Sequence, residues 1–409
     1  MATKVMKGLK VVDMSIMIAG PTASRTLGDW GADVIKIENY NGDTLRPLGM
    51  NVLSPIDDDE NPTFHIANAN KRLIPVNIKT AAGQEIVHKL VSEADVFITS
   101  LRQEALKKVG LDYDTLSQKY PRLVYAHVLG YGETGPLKDR AAFDYSTYFA
   151  RSGFITMIPD REGPPPFNVP AFGDNQLALA LLSGINLALY NREKTGKGDY
   201  VHTSLYHVGI YALGFVHAAD FYSPGIIPGT HSDPQSPLIT VYKCSDGEWF
   251  YLASPDYITY FPRVCDVLGL HELGQNEEYN DIMGMLMHKL EIKEMLQAEL
   301  IKKTSYEWAE IFAAASIPAE RIFTSKDVRD DPQVHANEFM KIVTHGNGNK
   351  SPMATTPTRL RSMGNGFDYE FLPGGIGAEA KDILTELGYT EEEMKKLKDE
   401  GVINFGNFA

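Results

Sequence analysis

Short apolar runs and stretches of helical period alternate along the first half of the chain. Residues 9–15 (LKVVDMS) form a run of the kind that becomes a buried strand. A turn at Ala19-Gly20-Pro21 then opens a helix over 22–30, and 34–38 (VIKIE) reads as a second strand, which together make a βαβ unit. The alternation continues through a strand at 74–78, a helix at 82–94, and strands at 96–99 and 123–128. Such a pattern predicts a mostly parallel sheet with helices on both faces, an α/β architecture of Rossmann-like kind.

Beyond the apolar helix predicted over 175–190 the pattern changes. A loop at 193–198 (EKTGKG) leads to a strand at 200–204, and a further apolar helix runs to Phe221. Residues 224–237 are rich in Pro, Gly and Ser and read as a linker. Strands at 239–243 and 249–253, joined through Ser245-Asp246-Gly247, predict a hairpin, with helices following around Phe261, Met285 and Trp308. The expected domains are therefore 1–223 (large, α/β), 224–237 (linker) and 238–330 (smaller, α+β). A return segment, 331–409, is expected to end in helices that pack on the large domain, with Thr390 and Glu393 spaced as a capping box.

Composition narrows the partners. At 409 residues the chain exceeds the size at which single cores split, and 43% hydrophobic with 22% charged residues places it among folded globular proteins. A formal charge of -14 argues against nucleic acid or an anionic membrane surface, because either needs a basic face. The longest apolar segment, 177–190, is too short to span a bilayer. Two isolated cysteines, Cys244 and Cys265, and an N-terminus without the apolar run of a signal peptide lead us to expect a reducing, cytoplasmic setting.

Several chemistries lack their signatures. No GxGxxG occupies the first βα turn, which disfavours a nicotinamide enzyme, although Gly20 and Pro21 suit either an anion at that helix N-terminus or a plain structural turn. The eleven histidines include no HxH or HExxH, since His271-Glu272 is not completed at Gln275; no GxSxG occurs either. Basic residues Arg46, Lys71, Arg72, Arg102, Lys107, Lys108, Lys138 and Arg140 are scattered through the first domain, and spacing does not distinguish phosphate ligands from solvated charges.

The most suggestive local feature is Ala171-Phe172-Gly173-Asp174 just before the apolar helix. A helix start favours an ionised carboxylate, as a nucleophile attacking a thioester requires, and Gly173 removes side-chain bulk from the approach of a second group. Periodicity by itself assigns Asp174 more simply as the helix N-cap.

Over nearly its full length the chain resembles the class III CoA-transferases. The resemblance is carried by LKVVDMSIMIAGPTASRTLGDWGADVIKIE (9–38), NANKRLIPVNIKTAAGQEIV (68–87), EALKKVGLDY (104–113), GYGETGP (130–136), FDYSTYFARSGF (143–154), AFGD (171–174), REKTGKGDYV (192–201) and YKCSDGEW (242–249). It implies that Asp174 is the nucleophile, passing through a mixed anhydride and an aspartyl-CoA thioester, with CoA thioester as substrate and no prosthetic group. It further implies CoA contacts at Ile18, Ala19, Arg72, Ser100, Leu101, Arg102 and Lys108. Two positions depart from the family pattern: Ser100-Leu101 replaces Asn-Phe, and Ala178 replaces Gly.

The related 2-methylacyl-CoA racemases carry a His where this chain has Phe143, so a racemase would lack one of its acid-base groups. A catalytically silent acyl-CoA-binding protein is the other alternative. Asp144 beside Phe143 reads equally as a group orienting CoA or substrate and as a structural hydrogen-bonding residue. ENPTFHIANANKR and FARSGF most resemble transferases of amino-acid-fermenting anaerobes. These exchange CoA between an unsaturated acyl-CoA and an (R)-2-hydroxy acid such as phenyllactate or 2-hydroxyisocaproate. The resemblance also implies a ring-like chain in an interlocked homodimer.

Overall fold

The computed structural model describes residues 4–158, 169–222, 229–363 and 371–406. These form two compact units. One takes in the described residues up to Gly153, those from 169 to Ala212 and those from Asp331 onward; the other takes in 154–158 and those from Leu213 to Asp330. Part of the expected linker, 224–228, lies outside the described residues.

The larger unit is built on β1 (Lys10–Met14), α1 (Ala19–Asp29), β2 (Asp33–Glu38), α2 (Pro62–Asn68), β3 (Arg72–Pro75), α3 (Ala81–Ser92), β4 (Val96–Thr99), α4 (Gln103–Lys108), α5 (Tyr113–Lys119), β5 (Val124–Leu129), α6 (Phe172–Thr195), β6 (Tyr200–Ser204) and α7 (Leu205–Ala212). All six strands are parallel, in the order β3-β2-β1-β4-β5-β6. That is the doubly wound order, whose direction reverses between β1 and β4.

The smaller unit contains α8 (Gly214–Tyr222), β7 (Ile239–Lys243), β8 (Trp249–Ala253), α9 (Tyr257–Leu268), α10 (His271–Gln275), α11 (Ile282–Leu300), α12 (Ser305–Ala314), β9 (Ala319–Arg321) and α13 (Ser325–Asp330). Its three strands are antiparallel, and its core gathers Tyr242, Phe250, Phe261, Trp308 and Phe312. No described helix is long and apolar enough to cross a membrane.

Back in the larger unit follow α14 (Pro332–Ala336), the hairpin β10 (Met340–Thr344) and β11 (Lys350–Ala354), α15 (Ala380–Glu386) and α16 (Glu391–Asp399). Ile383, Leu384, Met394 and Leu397 from the last two helices share a core with Val12, Ile37, Ile74 and Phe97 of the sheet. The capping box at Thr390 and Glu393 is present.

Some element limits differ from the sequence expectation. The first helix begins at Ala19 rather than 22, because Pro21 falls in its first turn, where a missing N–H is tolerated. Strand β3 runs over Arg72–Pro75 rather than 74–78, since its partner β2 ends at Glu38, opposite Pro75, and Val76 turns to bridge Ile403 instead.

Candidate active site

Ligands of doubly wound sheets bind beyond the carboxyl ends of the strands where the strand order reverses. Here the loops after β1 and β4 meet at that point, and a cavity of about 530 Å³ opens there. It is lined by Ile16, Met17 and Ala19 after β1, by Ser100, Leu101 and Arg102 after β4, and by Val128, Leu129, Gly130 and Glu133 at and beyond the end of β5. Phe143, Asp144, Asp174 and Leu205 complete the wall nearest α6 and α7, and Lys107, Lys138 and Arg140 add positive charge.

A buried ionic network holds the loop after β1. Lys71 donates to Asp13 Oδ2 at 3.0 Å, to the Pro21 carbonyl at 2.7 Å and to Asn68 Oδ1 at 3.0 Å, so each ammonium N–H has an acceptor. Lys36 donates to the Ser15 carbonyl at 2.7 Å and pairs with Asp43 at 2.8 Å. Burial works against the Asp13 carboxylate, but Lys71 and Lys36 beside it, with Ser15 and Ser24 donating, hold its pKa well below the ordinary range. Asp13, Lys36 and Lys71 are all fully buried.

The same network fixes the neighbouring backbone. Asp43 Oδ1 accepts the Met17 N–H at 3.3 Å, and Met17 adopts a left-handed φ of 65°, uncommon for a residue with a side chain. Ser100 Oγ accepts the Ile16 N–H at 3.1 Å, tying the two cavity loops together. Serine in place of the family's Asn thus acquires a definite structural role here.

Helix α6 begins at Phe172 because Ala171 turns the chain with a left-handed φ of 63°. Asp174 therefore stands at the third helical position, inside the first turn. Its assignment as the N-cap is overturned, since the cap is Ala171 and makes no side-chain bond. Burial raises the Asp174 carboxyl to about 6. At neutral pH it is still largely the carboxylate that nucleophilic attack requires.

Gly173 lets a second carboxyl come close. A Cβ at this position would overlap Asp144 Oδ1 and the Tyr148 ring. Asp144 leads into a π-helical turn, Tyr145–Arg151, a rare conformation that is frequent at functional sites. Burial, and then the charge of Asp174, raise the Asp144 carboxyl to about 7; the Gly173 N–H counters this in part without forming a hydrogen bond of normal geometry.

The residues singled out from sequence divide. Asp174, Ala19, Ser100, Leu101 and Arg102 line one cavity. Ile18 lies between two cavity residues but packs on the cluster of Leu45, Phe64, Ala67 and Leu73. Arg72 makes ion pairs with Asp33 at 2.9 Å and Glu386 at 2.7 Å, and is not part of the cavity wall. At α4 it is Lys107, not Lys108, that lines the cavity. Sequence reading missed Met17 and Glu133 altogether. It also missed the Asp13–Lys36 network, although a charge inside each of the apolar runs VVDM and VIKIE was a visible signal.

The profile of CoA-transferase family III matches residues 6–368, most of the chain and every residue of the cavity wall. The chain belongs to CoA-transferase family III. It is similar to the (R)-2-hydroxy-4-methylpentanoate CoA-transferase of Clostridioides difficile, with 39% identity over 98% of this chain and 100% of that protein. It is also similar to the cinnamoyl-CoA:phenyllactate CoA-transferase of Clostridium sporogenes, with 36% identity over 98% of each chain. Among solved structures, a CAIB/BAIF family protein from Brucella suis superposes with a TM-score of 0.81 at 28% identity, covering 95% of this chain and 100% of that one. As a family III CoA-transferase, the protein is an enzyme acting on CoA thioesters.

Proposed function

We propose that this CoA-transferase moves CoA from an acyl-CoA to an (R)-2-hydroxy acid of the 2-hydroxyisocaproate or phenyllactate kind, with Asp174 as nucleophile. The observation that carries the reading is Asp174 itself, a largely buried carboxylate in the first turn of α6 on the wall of the cavity at the strand-order reversal. An Asp174 oxygen attacks the thioester carbonyl; the C–S bond breaks and CoA leaves as thiolate, giving a mixed anhydride. The thiolate then attacks the Asp174 carboxyl carbon, and the acyl group departs as its carboxylate, leaving an aspartyl-CoA thioester. The incoming acid reverses these steps, so the thioester bond energy is retained and water must be kept out.

Several features support the choice of acid and the binding mode. The two relatives act on branched or aromatic acids by their names, and Ile16, Met17, Val128, Phe143 and Leu205 give this cavity an apolar share suited to such groups. Ala19, Ser100, Leu101 and Arg102 are the proposed CoA contacts, with Lys107, Lys138 and Arg140 serving the phosphates. Arg102 makes no ion pair or side-chain hydrogen bond among the described residues, so its charge is available to a ligand. A cytoplasmic homodimer belongs to the same reading. Leu187, Tyr190 and Tyr211 of the larger unit are exposed, as are Phe215, Phe221 and Tyr222 of the smaller, as a dimer interface would require.

The test is to incubate the protein with isocaproyl-CoA or cinnamoyl-CoA, trap with hydroxylamine or borohydride, and map the adduct by mass spectrometry. Modification at Asp174 is expected, and Asp174→Ala should fold but lose exchange. An adduct elsewhere, near-normal turnover of the variant, or better activity with oxalate or carnitine than with 2-hydroxy acids would overturn the corresponding part of the reading.

A further inference from the structure

Asp144 is 5% exposed, and neither of its carboxylate oxygens has a hydrogen-bond partner among the described residues. Buried carboxylates in folded proteins are ordinarily paired or hydrogen-bonded, because stripping an anion of water without compensation is expensive. Asp144 nevertheless lines the same cavity as Asp174, against a glycine whose missing side chain makes the approach possible. A structural carboxyl would be expected to hold something in place. This one makes no hydrogen bond of normal geometry among the described residues.

We propose that Asp144 is a positioning residue of the transfer site, a carboxylic acid that keeps its proton beside the Asp174 carboxylate and offers that O–H to the charge that comes and goes on Asp174. The inference rests on the functional reading above. Two carboxyls facing one cavity resist ionising together, so below about pH 7 the pair carries one proton, and the group more strongly penalised as an anion retains it. Burial and the Asp174 charge both act on Asp144 in that direction.

The chemistry gives the proton a use without consuming it. When Asp174 attacks the thioester, its O–C bond forms as the C–S bond breaks and the electron pair leaves on sulfur. When the thiolate attacks the Asp174 carboxyl carbon, the S–C bond forms, an oxyanion develops on that carboxyl, and the anhydride C–O bond breaks as the acid departs with the electron pair. A neutral donor steadies the carboxylate before the first step and the oxyanion in the second. The proton stays on Asp144 throughout.

Other titratable and charged groups surround Asp144. Asp174 faces it from α6, Tyr148 lies on its own helical turn, and Glu133, Lys138, Asp139 and Arg140 stand along the preceding loop. Arg102, Glu104 and Lys107 line the side of the cavity formed after β4, and α7, packed on the π-helical turn, brings His207. Asp174 supplies the one charge that acts appreciably on Asp144.

The experiment measures kcat/KM for CoA exchange from pH 5.5 to 9 in the wild type, Asp144→Asn and Asp144→Ala, with the Asp174 adduct mapped in parallel. The wild type should lose activity as pH rises through about 7, where Asp144 loses its proton. Asp144→Asn, a neutral donor that does not titrate, should lack that falling limb. Asp144→Ala should fall by about a hundredfold at pH 6.5, the scale for removing one preorganised donor, and Asp144→Asn should recover at least about tenfold of it. A wild-type profile flat to pH 9, or a falling limb unchanged in Asp144→Asn, overturns the inference while an adduct at Asp174 leaves the functional reading standing. No adduct at Asp174 overturns both. If Asp144→Ala does not fold, the wild-type and Asn profiles still decide.

Discussion

Replacing Asp174 by Asn should make the protein more stable at neutral pH, by an amount that burial of the carboxylate sets. Burial raises this carboxyl from 3.8 to about 6. At about 1.4 kcal/mol for each pH unit, the native state carries a penalty approaching 3 kcal/mol once Asp174 is ionised in both states. The group borders a cavity that water enters, so this is an upper value. The sign follows from proton binding. Below pH 4 the carboxyl is neutral folded and unfolded, and the wild type suffers nothing. Between pH 4 and 6 the native state binds the extra proton, so wild-type stability falls as pH rises, and above pH 6 the full penalty remains. Asp174→Asn escapes it, and Asp144, relieved of the neighbouring charge, shifts stability in the same direction. With an unfolding entropy of about 2.1 cal/mol/K per residue, 3 kcal/mol over 409 residues corresponds to about 3–4 °C in Tm. Scanning calorimetry of both proteins from pH 4.5 to 8 should show the gap opening toward pH 6 and then levelling. A gap of constant size, or a wild type that is the more stable at pH 8, would refute the argument that the Asp174 carboxylate is held at the expense of stability.

Two further substitutions probe the scaffold around that carboxyl. Lys71→Met removes three hydrogen bonds and leaves Asp13 buried without its closest cation; a loss of about 3–5 kcal/mol is expected from the urea midpoint, and a change below 1 kcal/mol would contradict the role given to the network. Gly173→Ala forces a methyl into the space of Asp144 and Tyr148, so kcat/KM should fall at least about tenfold with smaller loss of stability, and unchanged kinetics would mean that the two carboxyls need not be close.

The sheet was legible because a strand covered on both faces needs a continuous apolar run, and VVDM, VIKIE, VFIT and VYAHVL each read that way. The ends of elements were less so. Nothing in Ala171 announces a left-handed φ, and that one backbone choice moves the start of α6 three residues earlier than the pattern of leucines and alanines indicates. Moving the start changes Asp174 from the residue that caps the helix into one whose carboxyl is left for chemistry.

The site was legible to the degree that its parts are local. The loops after β1 and β4 are marked as strand ends, and there the contacts implied by the resemblance, Ala19, Ser100, Leu101 and Arg102, do fall on the cavity wall. Arg72 and Lys108 could not be judged that way, since partners 39 and 314 residues distant occupy Arg72 and a rotation of one position along α4 decides between Lys107 and Lys108. The pairing of Asp144 with Asp174 is the extreme case. Thirty residues of chain separate the two carboxyls, and neither carries any mark of the other except Gly173, whose lack of a side chain is explained only when Asp144 is seen to fill the space. The glycine next to Asp174 thus reports a neighbour that sequence spacing does not name. What that neighbour does to the charge on Asp174 is the physical content that the Gly173-Asp174 pair holds beyond its place at a helix start.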